Sequence, residues 1–144
     1  MVAAGHAVRG TTRNPARADA IAAAGAEPYI GDPDRIGTLM DALHAVTILV
    51  WLFGELPDED LHGGRLRMLF EKLVDTPVRG FLYEAAGSVP ASVLESGTAS
   101  VRRAGETWRI PVSILEADTG DPSSWEESAL AATSRLAAGA GEPI

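Results

Sequence analysis

The sequence predicts an α/β fold in which a mostly parallel sheet lies between two layers of helices, a three-layer sandwich. Three observations predict it. Short β-like runs alternate with helical segments along the 144 residues. Two helix starts carry Asn14-Pro15 and Asp32-Pro33, with the polar residue placed to cap and the proline at the first helical position. The most apolar run, Ala45 to Phe53 (AVTILVWLF), shows no period-two alternation, as expected of a strand covered on both faces.

Each element follows in order. Met1 to Gly5 reads as a helix tail and a turn, so the pattern starts in its middle and an opening strand is expected before Met1. His6 to Thr12 is a strand, and Asn14-Pro15 then starts a helix that runs to Ala24 and stops at Gly25, a residue suited to the left-handed cap. Ala26 to Ile30 is the next strand, shortened by Pro28, and Asp32 caps a helix running toward Leu43 and His44. After the apolar strand, Gly54 to Pro57 is a break. Asp58 to Leu73 is an amphipathic helix with Leu61, Leu66, Leu69, Phe70 and Leu73 on or near one face. Val78 to Glu84 is a strand, Pro90 to Trp108 a helix weakened by Gly97 and Gly105, and Pro111 to Glu116 the last strand. A final helix covers Pro122 to Leu136. The whole reads as one domain over residues 1–136, with 137–144 a small-residue tail expected to fray.

Composition bounds the function. The formal net charge is −8, which disfavours duplex nucleic acid, since neutralising phosphates needs a concentrated basic face. With no cysteine, disulfides, thiolate metal sites and a cysteine nucleophile are excluded, and a reducing cytoplasm is the expected setting. No apolar run is long enough to span a bilayer, so no membrane is expected as partner. His6, His44 and His62 are dispersed and none has a histidine partner at ligand spacing, so no metal site is expected. Lys72 is the only lysine.

Four stretches carry a resemblance: GHAVRGTTR at residues 5–13, AGAEPYIGD at 24–32, WLFG at 51–54 and FLYEAAGSV at 81–89. They resemble the NAD(P)-binding Rossmann proteins of the short-chain dehydrogenase/reductase superfamily, in its atypical, epimerase/dehydratase-like branch. The resemblance makes them the second to fifth strands of that fold, and the first strand with its G-x-x-G-x-x-G turn is missing. Those glycines let the backbone approach the pyrophosphate and aim a helix N-terminus at its charge. The fold is therefore expected to be an N-terminally truncated Rossmann-like sandwich. Without its central strand, two strands would be left unpaired on facing edges.

The resemblance also implies a cofactor site. Arg13, with Thr12 beside it, stands where NADP-dependent relatives hold the adenosine 2′-phosphate, so NADP is implied over NAD; the alternative is an ordinary solvated arginine. Asp32 stands where relatives contact the adenine edge, or is simply the helix cap. Leu52, Phe53 and Gly54 lie where the fourth strand meets the cofactor, and Glu84 and Ala85 where the fifth does. Tyr83, Glu84 and Ser88 either form a small polar site or are respectively a packed sheet residue, a strand-end acid and a turn residue.

The Tyr-x-x-x-Lys pair of such reductases is absent: Tyr29 is followed at that spacing by Pro33, Tyr83 by Gly87, and Lys72 is preceded by Met68. Catalytic residues are accordingly not assigned. Three functions stay open: an NADP-preferring dinucleotide binder related to reductases and epimerases, a non-catalytic redox sensor or interaction module, and a truncated inactive fragment of an oxidoreductase. A homodimer through the helix of Leu66, Phe70 and Leu73 is a further family-based expectation, and those residues would serve a core equally well.

Overall fold

A computed structural model describes residues 1–139, and within them the chain divides into two compact units, Met1–His44 and residues 45 onward. The fold is α/β, and every strand pairing is parallel, as the alternating pattern predicts. The five strands form two sheets, one of β1 and β2 and one in the order β3-β4-β5. Residues 140–144, most of the expected tail, lie outside the described residues.

In the first unit, a 3-10 turn over Val2–Ala4 ends at Gly5, whose φ of 89° makes the left-handed turn into β1, Arg9–Thr12. The Asn14 side chain accepts the Ala16 N–H at 3.0 Å, so the cap is where the sequence places it. The first turn, Pro15–Arg17, is 3-10, and α1 covers only Ala18–Ala23. β2, Glu27–Ile30, pairs with β1 in the register Arg9↔Glu27 to Thr12↔Ile30. The helix expected from Pro33 is broken up. Thr38 Oγ1 accepts the Asp32 N–H at 2.8 Å and contacts the carbonyls of Asp32 and Arg35, which holds residues 33–36 as a turn. α2 is therefore only Gly37–Met40, followed by a 3-10 turn over Asp41–Leu43. Arg9 ties these pieces together, donating from Nη1 to the carbonyls of Ala42 (2.6 Å) and His44 (2.9 Å) and from Nε to Glu27 (3.1 Å). The buried apolar side chains of this unit are few: Pro33, Ile36, Leu39, Ala42 and Leu43.

The second unit holds the larger core. β3 is Leu49–Trp51, β4 Phe81–Glu84 and β5 Val112–Leu115. The long apolar run thus yields a short strand: Ala45 sits at φ 60° and is exposed, and Leu49 and Val50 are only half-buried. The reason is its position at the sheet edge, where among the described residues no strand pairs with its other side. The strand buried throughout is β4 at the centre, with Phe81, Leu82 and Tyr83 at 0 % exposure.

Helix α3, Gly64–Leu73, buries Leu66, Leu69, Phe70 and Leu73, so those residues serve the core. Each such side chain contributes about 1.5–3 kcal/mol. The 3-10 turn Glu59–His62 precedes it, separated by Gly63 at φ −132°, ψ −105°, so the predicted helix from Asp58 is two pieces. Helix α4 covers Ala91–Trp108 and α5 Pro122–Ala137. Alternation along β4 assigns the layers. Phe81 stacks on Phe70 of α3 with centroids 4.5 Å apart, and Tyr83 reaches Gly97 of α4. On the opposite face Gly80 meets Leu136 of α5, and Glu84 meets Trp125 of α5. This unit is a three-layer sandwich of α3 and α4, the sheet, and α5.

Candidate functional site

The carboxyl ends of parallel strands are where α/β sheets place their ligands, because the strand-to-helix loops open there. In the second unit, three loops converge on that end. Gly54, three residues past β3, is buried against the loop after β4: a Cβ on it would run into the Ala86 carbonyl, and one on Gly87 (φ 132°) would run into the Gly54 carbonyl. The Val89 N–H closes this crossing on the Gly54 carbonyl at 3.1 Å. Only glycine allows the two backbones to lie this close.

Glu84 is the last residue of β4 and is 5 % exposed. Its Oε1 accepts the Gly54 N–H and its Oε2 the Trp125 Nε1–H, both at 2.9 Å. One buried carboxylate therefore joins the loop after β3, the end of β4 and the first turn of α5. A buried carboxylate is tolerable because both oxygens receive donors. Ala85 continues the strand with its N–H on the Leu115 carbonyl at 2.8 Å.

Above it, Glu55 accepts the Thr119 hydroxyl at 2.7 Å and the Ser88 N–H at 3.3 Å. The Thr119 bond first, and the Ser88 bonds after it, hold its carboxyl below the usual carboxylate range. Glu55, Glu84, Thr119, Pro122, Trp125 and Glu126 line a cleft of about 250 Å³. Three carboxylates on this wall make it unsuited to phosphate and suited to neutral or cationic groups.

On the other face of β4, Tyr83 and His62 form a second buried pair. His62 Nε2 lies 3.1 Å from the Phe53 carbonyl, which can only accept, so Nε2 carries the proton. Nδ1 then accepts the Tyr83 hydroxyl at 2.6 Å. The ring is neutral: burial pushes the His62 imidazolium below its ordinary range, and burial, reinforced by the nearby Glu84 charge, pushes the Tyr83 phenol up to about 12. Tyr83 and Glu84 thus belong to opposite faces, and Ser88 joins neither side chain but offers its N–H to Glu55.

In the first unit, Thr12 ends β1, and its Oγ1 accepts the Asn14 N–H at 3.1 Å. Arg13 follows with a side chain 57 % exposed, its one ion pair among the described residues a long contact of 3.5 Å with Asp34. Asp32, beyond the end of β2, accepts the Asp34 N–H at 2.9 Å in an Asx turn; no helix starts at Pro33, so the helix cap expected of Asp32 is not formed. Thr12, Arg13, Asp32 and Asp34 therefore gather at the carboxyl end of this two-stranded sheet. Leu52 is exposed and Phe53 half-buried, with Phe53 edge-on to Trp51 at 4.6 Å.

Sequence reasoning left out His62, Thr119 and Trp125. Their partners lie 9 to 64 residues away along the chain, and no local pattern signals a bond of that span. Among the described residues, no group of three or more histidines and acids could hold a metal, and no helix is long and apolar enough to cross a membrane.

This architecture, parallel sheets with helices and loops gathered at the strand ends, is that of Rossmann-like proteins. No protein-family model and no curated protein matches the chain. Solved structures do. Triphenylmethane reductase from Citrobacter sp. superposes with a TM-score of 0.58 at 23% identity, over 74% of this chain and 38% of that one. The same enzyme complexed with NADP(H) gives 0.57 over the same shares. The gox2253 structure gives 0.62 at 20% identity, over 80% and 44%, and an NADPH-dependent quinone oxidoreductase from Escherichia coli 0.51 at 19%, over 74% and 36%. The likeness is one of fold, and the chain spans about two-fifths of these proteins' length.

Proposed function

We propose that this chain is an NADP-binding α/β protein of reductase type whose adenosine 2′-phosphate is held by Arg13 and Thr12. The observation that carries the reading is the placement of Arg13: directly after β1, mostly exposed, and held among the described residues by a long ion pair that a phosphate dianion would displace. Two structural neighbours support it, one complexed with NADP(H) and one NADPH-dependent. Asp32, with its backbone, is proposed to meet the adenine edge. Leu52, Phe53, Gly54, Glu84 and Ala85 are proposed to serve the nicotinamide end, where an acid-lined wall suits a neutral or cationic ring better than phosphate.

The groups named suit the adenosine and nicotinamide moieties each taken by itself, and the 144 residues contain no G-x-x-G-x-x-G turn to cradle a pyrophosphate. When bound, NADP supplies hydride chemistry. This chain's own residues supply binding groups and no Tyr-x-x-x-Lys acid. The absence of that pair favours a second reading, a redox sensor or interaction module that binds the dinucleotide without turning it over. An oxidoreductase fragment that binds no dinucleotide is the third.

The test uses the adenosine half alone. Calorimetry with 2′,5′-ADP and with 5′-AMP should show preference for the 2′-phosphate, and Arg13→Glu should weaken 2′,5′-ADP roughly tenfold or more while leaving 5′-AMP little changed. Equal affinity for the two nucleotides, or none for either, overturns the assignment of Arg13. Binding of NADPH without turnover of carbonyl or quinone substrates selects the sensor.

A further inference from the structure

A groove of about 500 Å³ lies along β5 and α5, starting beside the strand-end cleft, lined by Leu115, Glu116, Ser124, Ser128, Ala131 and Arg135 among others. The register shows which backbone groups of β5 face away from β4. The Phe81 N–H donates to the Pro111 carbonyl and the Ala85 N–H to the Leu115 carbonyl, while Phe81 lies opposite Val112. In a parallel ladder, residues 111, 113 and 115 therefore turn their backbone groups toward β4, and Val112, Ile114 and Glu116 turn theirs outward. Among the described residues no strand pairs with that side. β5, Val-Ser-Ile-Leu, carries no proline, lysine or other charge to blunt the edge.

The charges beside the edge are polarised. Helix α5 runs antiparallel to the strands: Trp125, in its first turn, binds Glu84 at the carboxyl end of β4, and Leu136, near its end, packs on Gly80 just before β4 begins. Glu116 and Glu127 therefore sit at one end of the groove and Arg135 at the other. All three are exposed, and none forms an ion pair among the described residues.

We propose that a second copy of this chain docks here, β5 against β5 in antiparallel, about a two-fold axis normal to the sheet near Ile114. That operation is the one the charges select. It lays the Glu116 and Glu127 end of each copy beside Arg135 of the other, twice by symmetry, whereas a parallel arrangement would set like charges together. It also places the two α5 helices side by side on one face. There Ser124, Ser128 and Ala131 are small enough to let them approach. The result is a continuous six-stranded sheet, and it does not depend on the cofactor reading.

Sedimentation equilibrium of the 144-residue chain over a range of concentrations tests this. A monomer–dimer equilibrium is expected. Arg135→Glu should weaken it roughly tenfold or more, and adding Glu127→Arg to that variant should recover most of the loss. Ile114→Pro removes an outward N–H and no hydrogen bond to β4, and should abolish the dimer while circular dichroism stays native. If that variant fails to fold, the charge swap still decides. A chain that is monomeric throughout, or a dimer indifferent to the charge reversal, overturns the proposal.

Discussion

At the scale of single residues, the second unit is held by polar atoms in apolar surroundings. Tyr83 and His62 are the clearest case, since each satisfies the other and neither has water to turn to. Gly97 makes the pair possible: the Tyr83 hydroxyl occupies the space in which any larger residue of α4 would put its Cβ. The linkage signs follow. His62 has a lowered pKa in the folded state, so the unfolded chain binds more protons below the ordinary value of 6.5, and stability is lost as pH falls through that value. Tyr83 titrates near 12 instead of 10.0, so the unfolded chain loses its proton first, and stability is lost as pH rises from 10 toward 12. Two pKa units correspond to about 3 kcal/mol. Urea unfolding at a series of pH values should show this alkaline loss, and Tyr83→Phe should remove it while costing about 1–3 kcal/mol at neutral pH, because Nδ1 of His62 is left without a donor. An alkaline slope unchanged in Tyr83→Phe would assign it to another group.

At the scale of elements, Glu84 decides how α5 and the loop after β3 meet the sheet. Both its partners, the Gly54 N–H and the Trp125 indole, are donors, so the site needs two acceptor oxygens. Glu84→Gln keeps the shape but turns one oxygen into a donor facing a donor. The expected result is a loss of about 2–3 kcal/mol, with a change in tryptophan fluorescence as the indole loses its partner. A variant as stable as the parent, with unaltered emission, would show that the carboxylate is not the joint. The elements themselves were unevenly legible. α4 and α5 are found within about a residue or two of the sequence expectation, because the prolines at their starts and their apolar faces are local signals. The first-unit helix after Asp32 was not, because Thr38 competes for the backbone of Asp32 and Arg35 and favours a turn.

At the scale of the whole molecule, the two units differ in what holds them. The first has a two-stranded sheet and few buried apolar side chains, while the second buries β4 completely and much of α3. A two-stranded sheet is marginal unless other surfaces cover it. Native-state hydrogen exchange should therefore show the amides of Arg9–Thr12 and Glu27–Ile30 opening with a smaller free energy than those of Phe81–Glu84. Equal protection in the two sheets would mean that they unfold as one. The sequence by itself determined the α/β class, the parallel strands and the cap at Asn14, because turn chemistry and hydrophobic period act within a few residues. It also placed Arg13 after a strand and Gly54 after another. Only the tertiary structure decided that the five strands form two sheets, that β4 and not the most apolar run is the buried centre, that Tyr83 and Glu84 face opposite layers, and that Glu84 is tied to Trp125. Each of these rests on which segments become neighbours across 20 to 40 residues of chain, as the spans of 21, 30 and 41 residues between His62 and Tyr83, Gly54 and Glu84, and Glu84 and Trp125 show. Burial and pairing over such distances are properties of the assembled core, which no local pattern encodes.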